Sequence, residues 1–292
     1  MANLKEIKNR ITSIASTMQI TSAMKMVSAA KLKRAQDAIT QMRPYAEKLQ
    51  EILSNLSATL DISENAYAAQ RGDEKVFIVA VTSNRGLCGG FNNNIIKQVN
   101  SLIANDYAGK DVRVIAVGKK VNDAFKRSEF NYRPEGIGEA DEMFNDLSFE
   151  RSSNLAQYLM DAFAKGEVDK VVVVYNKFKN AAVQEVMSEQ FLPIIPTEND
   201  AAAGAGDYIF EPSKEEIVTE MIPKSLKVQL FKAFLDSHAS EHGARMTAMH
   251  KATDNASELK RTLTLDYNKA RQAAITNEIL EIVGGAEALK NG

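Results

Sequence analysis

A chain of 292 residues, 45% hydrophobic and 25% charged, has an ordinary globular composition with room for one compact domain plus an extended element, or for two domains. A formal net charge of -2 argues against a general nucleic-acid binder, and no apolar run approaches the ~20 residues needed to span a bilayer. Cys88 is the only cysteine, which excludes an internal disulfide, suits a reducing compartment and favours a buried, inert thiol over a reactive one.

The N-terminus lacks the apolar core of a signal peptide and carries Glu6, so it reads as mature helix and not as a cleaved presequence. Leu4, Ile7, Ile11, Ile14 and Met18 recur in alternating steps of three and four, the seam of a coiled coil. The same frame resumes at Leu32, Ala35, Ile39, Met42, Ala46, Leu49, Leu53 and Leu56, with no glycine before Leu60 and Pro44 as the one proline. A helix over Asn3 to Ser57 is expected, about 80 Å long at ~1.5 Å per residue. Between the two halves the frame falls on Thr21, Lys25 and Ser28, so an interruption is expected there, with Met24, Met26 and Val27 off the seam. Either the supercoil stutters locally, or these adaptable side chains face a surface other than the partner helix. Residues 1 to 50 carry nine basic side chains, Lys31, Lys33 and Arg34 among them, against three acidic ones, so this helix should meet something acidic.

Asp61 to Glu74 reads as a loop, after which apolar β-branched runs alternate with helical patterns. Strands are expected at Val76 to Thr82, Val112 to Val117 and Val171 to Tyr175, and helices at Asn92 to Ala104, Lys119 to Lys126 and Arg151 to Lys165. That alternation implies a mainly parallel sheet covered on both faces. A fourth run, Glu185 to Phe191, ends in Pro193 and Pro196 and suits an edge strand.

Three stretches mimic ligand sites. Ser83 to Phe91 follows a strand and precedes a helix, where phosphate loops sit, but its glycines match neither common phosphate-loop spacing, so a tight backbone turn is favoured. His238 and His242 share a helix face in an H-x-x-E-H pattern, yet a zinc site needs a third ligand, and surface histidines are the plainer expectation. Glu135 to Glu142 with Asp146 is acidic, but Gly136 and Gly138 suit a solvated loop.

The closing helix is expected over Ser213 to Leu289, with Pro223 breaking or bending its start. Phe231, Phe234 and Leu235 give one end bulk for packing on the α/β domain. Met249, Ala252, Ala256, Leu259 and Leu263 form a seam that the first helix can fill in antiparallel fashion. A second apolar stripe then begins at Ile275, Ile279, Ile282, Ala286 and Leu289. This tip is too apolar for water, and a sleeve from another protein is inferred around it; the alternative is that it folds back onto its own domain. The division is therefore 1–60 first coiled-coil helix, 61–212 Rossmann-like α/β domain and 213–292 second coiled-coil helix.

Thr21 to Lys31, Arg85-Gly86-Leu87-Cys88-Gly89-Gly90 and Ile275 to Ala286 closely resemble the gamma-chain family of ATP synthases, over essentially the whole length. The terminal motif is specific; the middle one alone is weak. The resemblance implies an antiparallel coiled coil of the two termini inserted through three alpha and three beta subunits, with a Rossmann-like domain outside that binds no nucleotide. It also implies contact with an epsilon subunit and a membrane ring of c subunits, no catalytic residue, cofactor, metal or nucleic acid, and a peripheral place on the cytoplasmic side of a bacterial membrane. Met24, Lys25 and Met26 match the segment facing a mobile acidic loop of beta, extended by Lys31, Lys33 and Arg34. Arg245, Gln272, Thr276 and Glu278 match the family's coupling positions, and Ile275, Ile279, Ile282, Val283 and Leu289 would be the tip in its apolar bearing. With Cys88 alone, the redox control of the plastid form is not open to this chain. Two rivals stand beside this: an α/β nucleotide-binding enzyme with a dimerising coiled coil, and a coiled-coil adaptor with no effect on any ATPase.

Overall fold

A computed structural model describes residues 4–57, 66–134, 140–194 and 214–290, with the side chains of residues 47, 50–57, 141, 214–219 and 288–290 outside that description. Helix α1 spans Leu4–Ser57, and strand β1 spans Lys75–Val81. Helix α2, Phe91–Ser101, ends in a π-helical turn, Leu102–Asp106, before β2, Asp111–Val117. After α3, Lys119–Phe125, come β3, Asn131–Tyr132, and a 3-10 turn, Ala140–Asn145. Helix α4, Phe149–Ala164, leads to β4, Lys170–Phe178, and β5, Gln184–Leu192; helix α5, Lys214–Lys290, closes the chain. The fold is α/β with two long terminal helices, and its elements group into two compact units, one of residues 28–245 and one of residues 1–27 with 246–292. Each long helix thus contributes to both units.

In the larger unit the sheet order is β3-β2-β1-β4-β5, parallel throughout except for the β4–β5 pair. Strand β1 is central and buried from Val76 to Val81, so it shows a continuous apolar run in place of an alternation. Odd-numbered β1 residues Phe77, Val79 and Val81 meet Leu155, Leu159 and Phe163 of α4 and Ile222, Leu226, Leu230 and Phe234 of α5. Val76, Ile78 and Ala80 face the other way, onto Ile95 and Val99 of α2 and Val121 and Phe125 of α3. The period of two along the strand thus sorts the side chains between two covered faces. Strand β5 is the antiparallel edge expected from its prolines. Strand β3, two residues long, gives no periodic signal; Tyr132 holds it by packing 5.1 Å from Phe77 under the Arg113 guanidinium.

Pro223 does not break α5, which is continuous through it. A helical proline costs ~3 kcal/mol, while burying one Ile or Leu contributes ~1.5–3 kcal/mol. Ile222, Leu226 and Leu230, at 2%, 3% and 0% exposure, therefore outweigh it.

In the smaller unit α1 and α5 run antiparallel, since Thr21 pairs with Thr253 and Lys25 with His250. Ile7, Thr21, Met249 and Ala256 are buried. The expected interruption of the α1 seam is chemical and not geometric. Thr21 is buried in the same frame, its hydroxyl 2.8 Å from that of Thr253, and Ser28 further along is buried too. A hydrogen-bonded hydroxyl satisfies a seam position without apolar bulk. The α5 seam, conversely, thins early, because Leu259 is exposed.

Candidate functional site

In open α/β sheets ligands bind beyond the carboxyl ends of the strands where the chain order reverses. Here that place lies beside the ends of β1 and β4, at the Ser83–Gly90 loop. The loop is a turn held by its own side chains. The Ser83 backbone N–H donates to Asn92 Oδ1 (2.9 Å), the Ser83 hydroxyl donates to the Arg85 carbonyl (2.6 Å), and the Asn92 amide donates to Cys88 Sγ (3.1 Å). Burial pushes the Cys88 thiol above its ordinary pKa, so it is unreactive where it lies. Helix α5 fills the crevice. The Ser240 hydroxyl donates to the Asn176 carbonyl (3.0 Å), the Asn176 amide donates to the Phe91 carbonyl (3.3 Å), and Ala244 packs on Cys88 and Phe91. Arg245 completes the plug: its guanidinium pairs with Glu241 at 2.5 Å and donates to the Arg85 (3.0 Å) and Gly86 (3.3 Å) carbonyls. Side chains of α5 thus occupy the crevice beside the loop.

His238 and His242 are not surface histidines. Their Nε2 atoms lie 3.1 Å apart, His242 is buried, and His238 stacks on Phe144 with ring planes 8° apart. Burial lowers both pKa values, to about 4 and about 3, so both are neutral and share one proton between facing nitrogens. Glu241 of the same pattern serves Arg245; among the described residues no three His, Cys, Asp or Glu groups are placed to hold a metal. Of the acidic cluster, residues 135–139 lie outside the described residues, and Glu142 pairs with Lys119 at 3.0 Å.

On α1, Lys25 Nζ lies 3.4 Å from His250 Nδ1 and Met24 is half-buried, whereas Ile20, Met26 and Val27 are 60%, 64% and 58% exposed. Met26 and Val27 thus leave the partner helix for open surface. Further along α1, Lys31, Lys33 and Arg34 are exposed, with Lys33 paired to Asp37 at 2.8 Å. On α5 every residue from Arg271 to Glu287 is exposed, Gln272, Thr276 and Glu278 among them, and the Thr276 hydroxyl donates back to the Gln272 carbonyl (2.9 Å). Ile275, Ile279, Leu280, Ile282 and Val283 stand 47–66% exposed. The side chain of Leu289 lies outside the described residues. Arg245 is the exception among the expected contact residues, since it is buried and turned inward. The Glu241 partner at i−4 was the sequence signal for that, hidden inside the histidine pattern.

A family model described as ATP synthase matches residues 3–289. The ATP synthase gamma chain of Flavobacterium johnsoniae is 63% identical over 290 residues, covering 99% of each chain. The chain belongs to the ATP synthase gamma chain family. The gamma chain of Flavobacterium psychrophilum is 64% identical over 291 residues, and that of Chlorobaculum tepidum 45% over 295, each spanning 99% of this chain and 100% of its own. Among solved structures, a chain of the Euglena gracilis mitochondrial ATP synthase in rotational state 3 superposes with a TM-score of 0.65 at 22% identity, covering 98% of this chain and 94% of that one. A chain of the rotor of the same organism's enzyme gives 0.62 at 20% identity, covering 93% and 98%. At those identities the likeness speaks to the fold. As a gamma chain the protein is a central-stalk subunit in ATP synthesis. No helix among the described residues is long and apolar enough to cross a membrane.

Proposed function

We propose that this gamma chain is the shaft turned by a membrane ring of c subunits, with epsilon at its foot and three alpha and three beta subunits around its coiled coil, on the cytoplasmic side of a bacterial membrane. The observation that carries this reading is the bare apolar stripe from Ile275 to Val283, beyond the part of the helix that is packed, which ends near Ala256. Apolar surface of that extent calls for a cover, and contacts without directional hydrogen bonds would let the tip turn inside it.

The mechanism follows from symmetry. Two helices have no three-fold axis, so three equivalent catalytic sites around them would each face a different side of the shaft. A shaft shifts a site's equilibrium only by the difference in its contact energy with that site's open and closed states. Rotation exchanges those contacts in turn, and by reciprocity ATP hydrolysis drives the shaft backwards. Met24, Lys25 and Met26, with Lys31, Lys33 and Arg34, are the proposed contacts to an acidic moving segment; Gln272, Thr276 and Glu278 are those near the tip. Exposed charge pairs are worth under ~1 kcal/mol each, which suits contacts that must be made and released every turn.

The test is a Met24→Lys variant reconstituted with its partners. An added cation beside Lys25 should overstabilise one orientation and lower the ATP made per ion translocated while hydrolysis persists. Coupling equal to that of the wild type would remove the role given to this segment.

A further inference from the structure

We infer that Arg245 and Glu241 act as an internal clamp that holds the Arg85–Gly90 loop in one shape and thereby positions its exposed residues, so that Arg245 works through the loop and not by touching a partner. The proposal rests on the shaft reading for its functional consequence, though not for its geometry.

Three observations meet at this loop. Leu87 has φ +63, a left-handed backbone that branched side chains avoid, and yet its side chain is 66% exposed. The fold gains no burial from it, and such a backbone persists only where its surroundings over-determine it. The loop's two legs are pinned locally, by the Ser83 and Asn92 bonds on one side and by the Phe91 N–H donating to the Cys88 carbonyl on the other (3.3 Å). Its crest is pinned from outside, because the forked guanidinium of Arg245 divides its two terminal nitrogens: Nη1 donates to Glu241, while Nη2 donates to two successive carbonyls, those of Arg85 and Gly86. Glu241, one helical turn earlier and buried, fixes the fork's direction. A lysine could match the charge, but it has one nitrogen where Arg245 uses two, one for the Glu241 carboxylate and one for the loop carbonyls.

Cys88 supplies a built-in reporter, because it is the sole cysteine and lies under this crest at 1% exposure. In the full-length chain, Arg245→Gln combined with Glu241→Gln removes both members, so no buried charge is orphaned. Reaction of Cys88 with a chromogenic aromatic disulfide should then rise on the order of a hundredfold, since charge-assisted hydrogen bonds are among the stronger ones lost. Arg245→Lys should accelerate it as well, whereas a purely electrostatic role would be rescued. Should the double variant fold poorly by far-UV circular dichroism, Glu241→Gln alone, which keeps the guanidinium, should give an intermediate rise. Labelling at the wild-type rate in folded variants overturns the clamp. In the assembled complex the same variants should lower ATP synthesis per ion translocated. An opened loop with full coupling overturns the positioning role, while a wild-type chain that assembles no ATPase would instead strike at the shaft reading.

Discussion

The bare tip permits a quantitative forecast. Ile275, Ile279, Leu280, Ile282 and Val283 are 47%, 55%, 62%, 66% and 54% exposed. Burying a fully exposed aliphatic side chain is worth ~1.5–3 kcal/mol, so the open half of each should contribute ~1 kcal/mol and the stripe ~5 kcal/mol when a partner covers it. Replacing three of them, Ile279→Gln/Leu280→Gln/Ile282→Gln, should cost ~3 kcal/mol of association, roughly a hundredfold in affinity. The lone chain should not suffer, because the residues are exposed and glutamine is a good helix former. Sedimentation of the free wild-type chain should show self-association through the stripe, and the triple variant should stay monomeric. Titration of each into alpha and beta subunits, read as ATPase-competent assembly, gives the affinity. A wild-type chain that stays monodisperse, together with a triple variant that assembles at wild-type affinity, would refute the covered-tip argument.

Two further outcomes are expected. The neutral His238–His242 pair ties stability to pH: below 6.5 the unfolded chain takes up protons that the folded pair refuses until about pH 4 and about pH 3. Stability from this source is complete above 6.5 and is lost as pH falls through that window. Glu241, which burial pushes up and Arg245 pulls down, works in the opposite sense. A His238→Phe/His242→Leu variant should therefore lose the histidine part of the slope in unfolding titrations between pH 4 and 6.5, and an unchanged slope would dismiss it. Helical glycines divide in the same testable way. A Cβ at Gly243 would press on the Ala181 Cα at 3.2 Å, whereas at Gly284 nothing lies within 4 Å. Gly284→Ala should then gain helix stability of ~1 kcal/mol and Gly243→Ala should forfeit that gain; equal shifts in thermal unfolding would contradict the packing.

Much of this architecture could be read from the sequence, because both long helices rest on periodic apolar positions and four of the five strands on short apolar runs. What escaped had no period or drew on a second segment. Strand β3 is two residues held by an aromatic contact across the sheet. Thr21 keeps its seam position through a hydroxyl on Thr253, 232 residues away, which no count of apolar residues finds. Leu259 keeps the seam spacing but is half exposed, since spacing on one helix does not report where facing side chains end. Arg245 is expected as a contact only because it matches a coupling position of the family that the chain resembles. Its burial depends on two carbonyls more than 150 residues earlier.

Helix α5 divides its energetics along its length, and the division suits a part that transmits motion. From Ile222 to Ala244 it is fixed by deep burial: Leu230, Phe234, Ala239 and Ser240 are fully enclosed. Past Ala256 no described side chain is fully buried, Leu263, Tyr267 and Ala270 being only half-buried and everything from Arg271 to Glu287 exposed, yet it remains helical to Lys290. Most helical stability in proteins comes from packing, so the exposed far end should gain order from whatever surrounds it. The same covalent rod then joins a segment that cannot slip to one whose contacts are replaceable. On the proposed shaft reading, torque applied at the packed end would be delivered at the bare end through contacts that are individually weak.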